Sequence, residues 1–171
     1  MEKLSDNLLL GAVNAFNDNV GKVKNPLTGS SESCSDTARH YKKEKINWII
    51  IGDDNYGEGS SREHAAMTPR FLGCAAVITK SFARIHETNL KKQGILALTF
   101  ENGNDYEKIK EDDKISILGL NDFSPDKSLE CELKHSDGNS EKINLKHSYN
   151  SSQIEWFKAG SALNVLRNKK L

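Results

Sequence analysis

The sequence predicts an α/β fold with a β-α-β-α-β core, and three observations carry that prediction. Three short apolar runs stand at 48–51, 75–79 and 95–100, the first of them a continuous β-branched run, and each is short enough to be a strand. Stretches of helical composition separate them, with glycine at or near the junctions, so parallel strands joined by right-handed helical crossovers are the economical arrangement. Beyond residue 101 the pattern changes to strands divided by turn residues such as Asp137-Gly138-Asn139, which is antiparallel hairpin grammar.

Each element follows from its residues. The run at 8–13 predicts a short element, and the Asn, Gly, Asp, Pro, Thr and Ser that follow through Ser35 predict a long loop. Residues 37–45 have helical composition and carry Arg39, His40, Lys42, Lys43 and Lys45 without an apolar stripe, so a solvated helix face is expected there. Trp48-Ile49-Ile50-Ile51 reads as a strand buried on both faces, closed by a turn at Gly52. Residues 60–72 are helical in composition, with Pro69 expected to kink or divide them. After the second strand, Ser81 is a candidate N-cap for a helix through Gln93, with Phe82, Ile85 and Leu90 near one face and Gly94 as its stop. Strands are expected at 115–118, 129–134 and 142–146, and one or two amphipathic helices over 151–167 with a break at Gly160. No internal repeat, linker or second domain is evident, so residues 1–171 are expected to form a single domain.

Composition limits the function. Lys+Arg and Asp+Glu number 24 each, so the net charge is zero and gives no general attraction to nucleic acid or to an anionic membrane. No apolar run approaches the roughly 18 residues of a spanning helix, and residues 1–11 lack the basic flank and long apolar centre of a secretory signal. The three cysteines, Cys34, Cys74 and Cys131, are widely spaced, with no C-x-x-C pair and no histidine in ligand register. They support neither a disulfide scaffold nor a zinc or iron–sulfur site, and no metal is expected to be bound by this chain.

The chemistry concentrates in Asn55-Tyr56-Gly57-Glu58-Gly59-Ser60-Ser61-Arg62-Glu63-His64. This stretch falls between the C-terminal end of a strand and the start of the next helix, where α/β sheets place their ligands. Gly57 and Gly59 permit backbone conformations closed to other residues and let a ligand approach the main chain. Amides at a helix start, the hydroxyls of Ser60 and Ser61 and the planar fork of Arg62 would together favour an anion, a carboxylate or phosphate above all. The same residues also fit an S-x-x-E capping box, in which Ser60 and Glu63 satisfy each other's amides. A capping serine can still face a ligand, so both readings stand at this point. There is no G-x-S-x-G elbow and no phosphate-binding P-loop, and the third glycine of the dinucleotide fingerprint is missing. A triad of Ser60, His64 and Asp53 has nothing to return the histidine ring to the serine. Arg84 and His86 read as helix-face or supporting hydrogen-bonding residues rather than catalysts.

Residues 52–66 and 78–94, then Ser152-Gln153-Ile154-Glu155-Trp156-Phe157-Lys158-Ala159-Gly160-Ser161-Ala162-Leu163-Asn164, closely resemble the C-terminal swivel domain of mitochondrial-type aconitase, and the similarity covers nearly the whole chain. The resemblance implies a β/β/α three-layer swivel fold, shared with isopropylmalate isomerase. It also implies an enzyme, a hydro-lyase of the tricarboxylic acid cycle, that interconverts citrate and isocitrate through cis-aconitate with a [4Fe-4S] cluster as Lewis acid. By the same resemblance Ser60 is the base that takes the proton from substrate carbon, and Ser61 and Arg62 contact substrate carboxylate. A serine hydroxyl is a poor base in water, and amide donors, a helix N-terminus and a fixed cation are what its alkoxide would need.

Departures from the family matter too. The cluster-ligating cysteines, the acid that protonates the leaving hydroxyl and further substrate-binding arginines belong to N-terminal domains without a counterpart here. The chain starts just after a further family arginine, so that contact is expected to be missing. The expected partner is therefore a cluster-bearing set of domains, in a longer chain or a separate subunit, and the isolated domain is expected to be inactive. The Glu58 and Glu63-His64 spellings favour the mitochondrial-type enzyme over cytosolic relatives that also bind RNA. A homoaconitase-type substrate and a non-catalytic or RNA-binding module are the alternatives. The location implied is the mitochondrial matrix in a eukaryote and the cytoplasm otherwise.

Overall fold

The computed structural model describes residues 1–169. Its frame is a six-stranded mixed sheet in the order β3-β4-β5-β8-β7-β6, where β3 is Trp48–Gly52, β4 Cys74–Thr79, β5 Leu96–Phe100, β6 Lys114–Leu118, β7 Leu129–Lys134 and β8 Ser140–Lys146. The first three strands run parallel, linked by helices α3 (His64–Phe71) and α4 (Arg84–Lys92), as the β-α-β-α-β pattern predicts. The last three form an antiparallel meander whose β7–β8 turn closes through Gly138 at a φ of 89°. The halves join where β5 meets β8 antiparallel, pairing Thr99 with Lys146 and Phe100 with Leu145. One apolar core runs across that join, from Val77, Ile78 and Leu98 to Leu133 and Leu145, all buried.

Four expectations are corrected. Trp48-Ile49-Ile50-Ile51 is an edge strand, with only Ile50 of the four buried, because among the described residues nothing pairs with the outer side of β3. The helix over 37–45 begins earlier, as α2 (Cys34–Lys43), with the Ser33 hydroxyl accepting from the Asp36 amide. Its first turns are not a solvated face: Cys34 and Ala38 pack with Leu8 and Leu72 in a small second core, which small residues fill without a visible apolar stripe. The region 1–33 holds α1 (Glu2–Ser5) and a two-stranded ribbon, β1 (Lys22–Lys24) with β2 (Ser31–Ser33), rather than an element at 8–13. Buried Asn25 holds the ribbon's tip by donating to Glu32 and capping the Leu27 amide. Finally, Pro69 lies within an undivided α3, and it is the start of that helix, not its middle, that departs from the sequence pattern.

The tail is α5 (Ser151–Ala159), opened by an Asn150–Gln153 capping box, then Gly160 at a φ of 87° and α6 (Ala162–Asn168). Two contacts tie it to the helices beside the site. The Gly160 carbonyl accepts from Arg70 of α3 and lies so close to Gly94 that a Cβ there would sit 1.9 Å from it. Lys91 of α4 is buried, donates to Ser148 at 2.7 Å and pairs with Glu87 at 3.2 Å while lying over the Tyr149 ring. Burying a lysine is tolerable because its ammonium is paired and hydrogen-bonded. Among the described residues no helix is long and apolar enough to cross a membrane.

Candidate functional site

The segment 53–63 leaves the C-terminal end of β3 and returns to α3, and its shape is set by what lies beneath it. Gly52 ends the strand without a side chain because the Tyr56 ring folds back over it: a Cβ would stand 2.6 Å from Tyr56 Cδ2. Tyr56 then bridges to the segment leaving β4, its amide donating to the Ser81 carbonyl at 3.0 Å and its carbonyl accepting from Ala83 at 2.9 Å. Ser81 accepts from the Asn55 amide and donates to Asp54 rather than capping α4, whose N-cap is Ala83. That corrects the assignment of Ser81 as a cap: its hydroxyl is spent on holding the site loop. At the loop's base Lys80 pairs with Asp53 at 2.8 Å and holds that carboxyl below its ordinary range.

Gly57 needs to be glycine for two reasons. Its φ is +91°, and a Cβ would stand 2.2 Å from Cγ of His86. Gly59 has neither constraint: its φ is not in the left-handed region and open space surrounds its Cα, so the backbone freedom expected there is not used. His86 of α4 is 4% exposed, stacks edge-on against Tyr56 and has a buried Nδ1 with no partner. Burial holds its pKa below the ordinary imidazole value, which favours the neutral ring under Gly57.

The Ser60-Ser61-Arg62 turn is where the sequence places the chemistry, and the capping reading fails there. Helix α3 starts at His64 with Glu63 as an N-cap in helical conformation and no side-chain cap. The Ser60 amide donates to the Gly57 carbonyl in a separate turn, and the Glu63 carboxylate accepts from Gln93, the C-cap of α4, instead of reaching back. Ser60 is half-buried, while Ser61 and Arg62 are exposed. Among the described residues neither serine hydroxyl makes a hydrogen bond and the Arg62 guanidinium makes no ion pair. Ile85, expected on the packed face of α4, is 59% exposed, because His86, Asn89 and Leu90 form that face.

The side chains of the described residues do not form a metal-cluster site. Among the described residues no group of three or more His, Cys, Asp or Glu side chains could hold a metal ion. The three cysteines lie apart, on α2, β4 and β7, all buried. Burial pushes the Cys74 thiol up to about 12 and the Cys131 thiol up to about 11, the protonated state that does not ligate metal.

With that geometry in hand, comparison with known proteins decides the family. The model of the aconitase C-terminal domain matches residues 1–103. The chain belongs to the aconitase C-terminal domain family. The aconitase relatives extend the match beyond that model: mitochondrial aconitate hydratase of Gracilaria gracilis is 54% identical over 167 residues, covering 98% of this chain and 21% of the relative. That of Saccharomyces cerevisiae is 53% identical over 167 residues, covering 98% and 22%. The chain thus spans about a fifth of the length of the curated relatives it matches. Among solved structures, a 3-isopropylmalate dehydratase from Methanocaldococcus jannaschii aligns with a TM-score of 0.53 and 25% identity, over 80% of this chain and 74% of that one. The aconitase-type α/β fold expected from the sequence is the fold observed.

The aconitase-like segments 52–66 and 78–94 come together in space. The first forms the site loop, and the second supplies Ser81, Ala83, His86, Asn89 and Gln93, every one of which contacts it. The sequence alone does not single out Asn89 or Gln93. Their spacing from His86, three and seven residues on, is the signal that would, since it sets all three on one helix face.

Proposed function

We propose that this chain is the substrate-facing C-terminal domain of an aconitate hydratase, acting in the interconversion of citrate and isocitrate through cis-aconitate. Ser60 is the base that removes the proton from substrate carbon, and Ser61 and Arg62 hold substrate carboxylate. The observation that carries this reading is that α3 starts at His64 without using either serine as a cap, so two hydroxyls and a guanidinium stand in one turn with no partner among the described residues. A bidentate guanidinium fork beside a helix start suits a carboxylate, and the same positive field lowers the cost of an alkoxide.

The turn is open to water, which disfavours that alkoxide, so the active state requires a second surface closing over 57–62. We assign that surface to the rest of a longer aconitase chain, or to a separate subunit, which would also bear the [4Fe-4S] cluster that the buried cysteines here do not fit. The mitochondrial relatives support a location in the mitochondrial matrix.

The test is kinetic, on the complete cluster-loaded enzyme. Ser60→Ala should lower kcat by about 10²- to 10⁴-fold, the range for loss of a general base, with KM changed little. Arg62→Lys should raise KM and lower kcat together, because an ammonium cannot make the forked contact. Full turnover in the Ser60→Ala enzyme would remove Ser60 from the role.

A further inference from the structure

Helix α4 does more than connect two strands. His86 and Asn89 fall on one face of it, Gln93 is its C-cap, and each meets a different point of the site loop. The His86 ring lies against Gly57, the Gln93 amide donates to Glu63, and the Asn89 Nδ2 donates to the backbone carbonyl of Ser61 at 3.2 Å. Asn89 is buried, so its amide is committed to this contact and not shared with bulk water.

The Ser61 carbonyl and the Arg62 amide belong to one planar trans peptide, and in such a unit the C=O and N–H point in opposite directions. Drawing the carbonyl onto α4 therefore turns the Arg62 N–H away from α4. No acceptor among the described residues receives that N–H. Were the peptide to rotate by half a turn, the N–H would face the helix and a carbonyl oxygen would face outward, putting partial negative charge where an anion is to bind.

We propose that Asn89 is a positioning residue for the Ser60-Ser61-Arg62 turn, fixing the Ser61–Arg62 peptide so that the Arg62 amide faces the bound carboxylate, with the His86 ring beneath Gly57 as the second anchor. The proposal rests on the assignment of Ser60, Ser61 and Arg62 to the substrate. Asn89 itself touches no substrate and acts only through the peptide it holds.

The decisive variant is Asn89→Asp, the same shape without the donor and with a charge that repels the Ser61 carbonyl; Asn89→Ala removes the donor without adding charge and serves if the aspartate variant fails to fold. In the complete cluster-loaded enzyme we expect kcat/KM to fall about 10- to 100-fold, the scale of a catalytic group displaced by an ångström, with KM raised as well as kcat lowered. Amide hydrogen exchange, read without substrate, should speed up several-fold in 57–63 and stay unchanged in β4 and β5. Unchanged kcat and KM overturn the proposal, and so does a loss of rate accompanied by faster exchange throughout β4 and β5, which would mark Asn89 as ordinary packing. Should Ser60→Ala keep full turnover, the functional reading falls, and the exchange response of 57–63 still decides whether Asn89 sets the turn.

Discussion

The two glycines of the site loop look alike in sequence and differ in what the structure asks of them. At Gly57 an added methyl would have to tolerate a left-handed backbone, costing about 1–2 kcal/mol, and displace the His86 ring, adding about 1–3 kcal/mol of overpacking. Gly57→Ala should therefore destabilise the chain by about 2–5 kcal/mol in urea or guanidinium unfolding, the sum of those two costs. Gly59→Ala should change stability by less than about 0.5 kcal/mol, as an exposed substitution with room for its Cβ. Equal losses at the two positions would show that the loop is shaped by something other than the His86 contact. The left-handed φ and the His86 ring together separate them, and burial of that ring, its Nδ1 unpaired among the described residues, favours its neutral form.

At the scale of elements, the end of the sheet far along the meander is closed by a charge latch. His135, after β7, sits between Asp113 at 2.6 Å and Glu141 of β8 at 3.1 Å, with Asp113 also accepting from the Lys110 amide. Hydrogen bonds to Asp113 and then Glu141 raise the imidazole pKa, while burial and the Lys110 ammonium oppose them, and Asp137 lies close enough to feel the same charge. A histidine whose folded pKa exceeds its unfolded value of about 6.5 adds stability that is complete below that value and is lost as pH rises through the folded one. The unfolding midpoint of the chain should therefore exceed that of His135→Gln most at mildly acid pH, and the gap should narrow as pH rises. His86 and His147 are shifted downward and pull the opposite way, but they are common to both proteins and cancel in the difference. A gap that widens with pH would exclude the latch. None of this was legible in the sequence, because Asp113 lies 22 residues before His135 and only the β6–β7–β8 register brings it to the His135–Glu141 pair that flanks the β7–β8 turn. Contacts local in sequence fared better: the Gly94 stop, the Gly160 break and the Asp137-Gly138-Asn139 turn were all readable, since each is fixed by a positive φ that the residue type announces. The capping box at Ser60 was the instructive failure, because the loop before α3 is held by the Tyr56 bridge to Phe82 and by the Asn89 contact, which come from the β4–α4 connection and from α4 and are invisible in the local sequence.

For the whole molecule the question is whether the parallel and antiparallel halves behave as one. Strand patterning identified both halves, but it could not show that they share a sheet, since the β5–β8 join rests on just two residue pairs at the ends of the strands. What makes so short a join effective is the core beneath it. Leu145, fully buried, pairs with Phe100 on one side and Leu129 on the other, and Tyr149 just beyond it accepts from the Ala97 amide and donates to the Ile95 carbonyl, tying the end of the meander back to the parallel half. An element so tied cannot come apart from its neighbour without exposing apolar surface and orphaning buried backbone groups, each of the latter costing about 1–3 kcal/mol. Trp48 on the edge strand β3, donating to the Leu72 carbonyl, reports from the parallel half, whereas Trp156 lies on α5, which packs on α4 and, through Phe157, on Phe123 of the β6–β7 connection, so it reports from across the join. Single-tryptophan versions of the chain should therefore unfold with coincident denaturant transitions, and Leu145→Ala should move both midpoints together by a loss of about 2–5 kcal/mol, the range for a buried leucine truncated in place. Separate transitions, or a Leu145→Ala effect confined to Trp156, would mean that residues 1–171 comprise two folding units that merely share an edge.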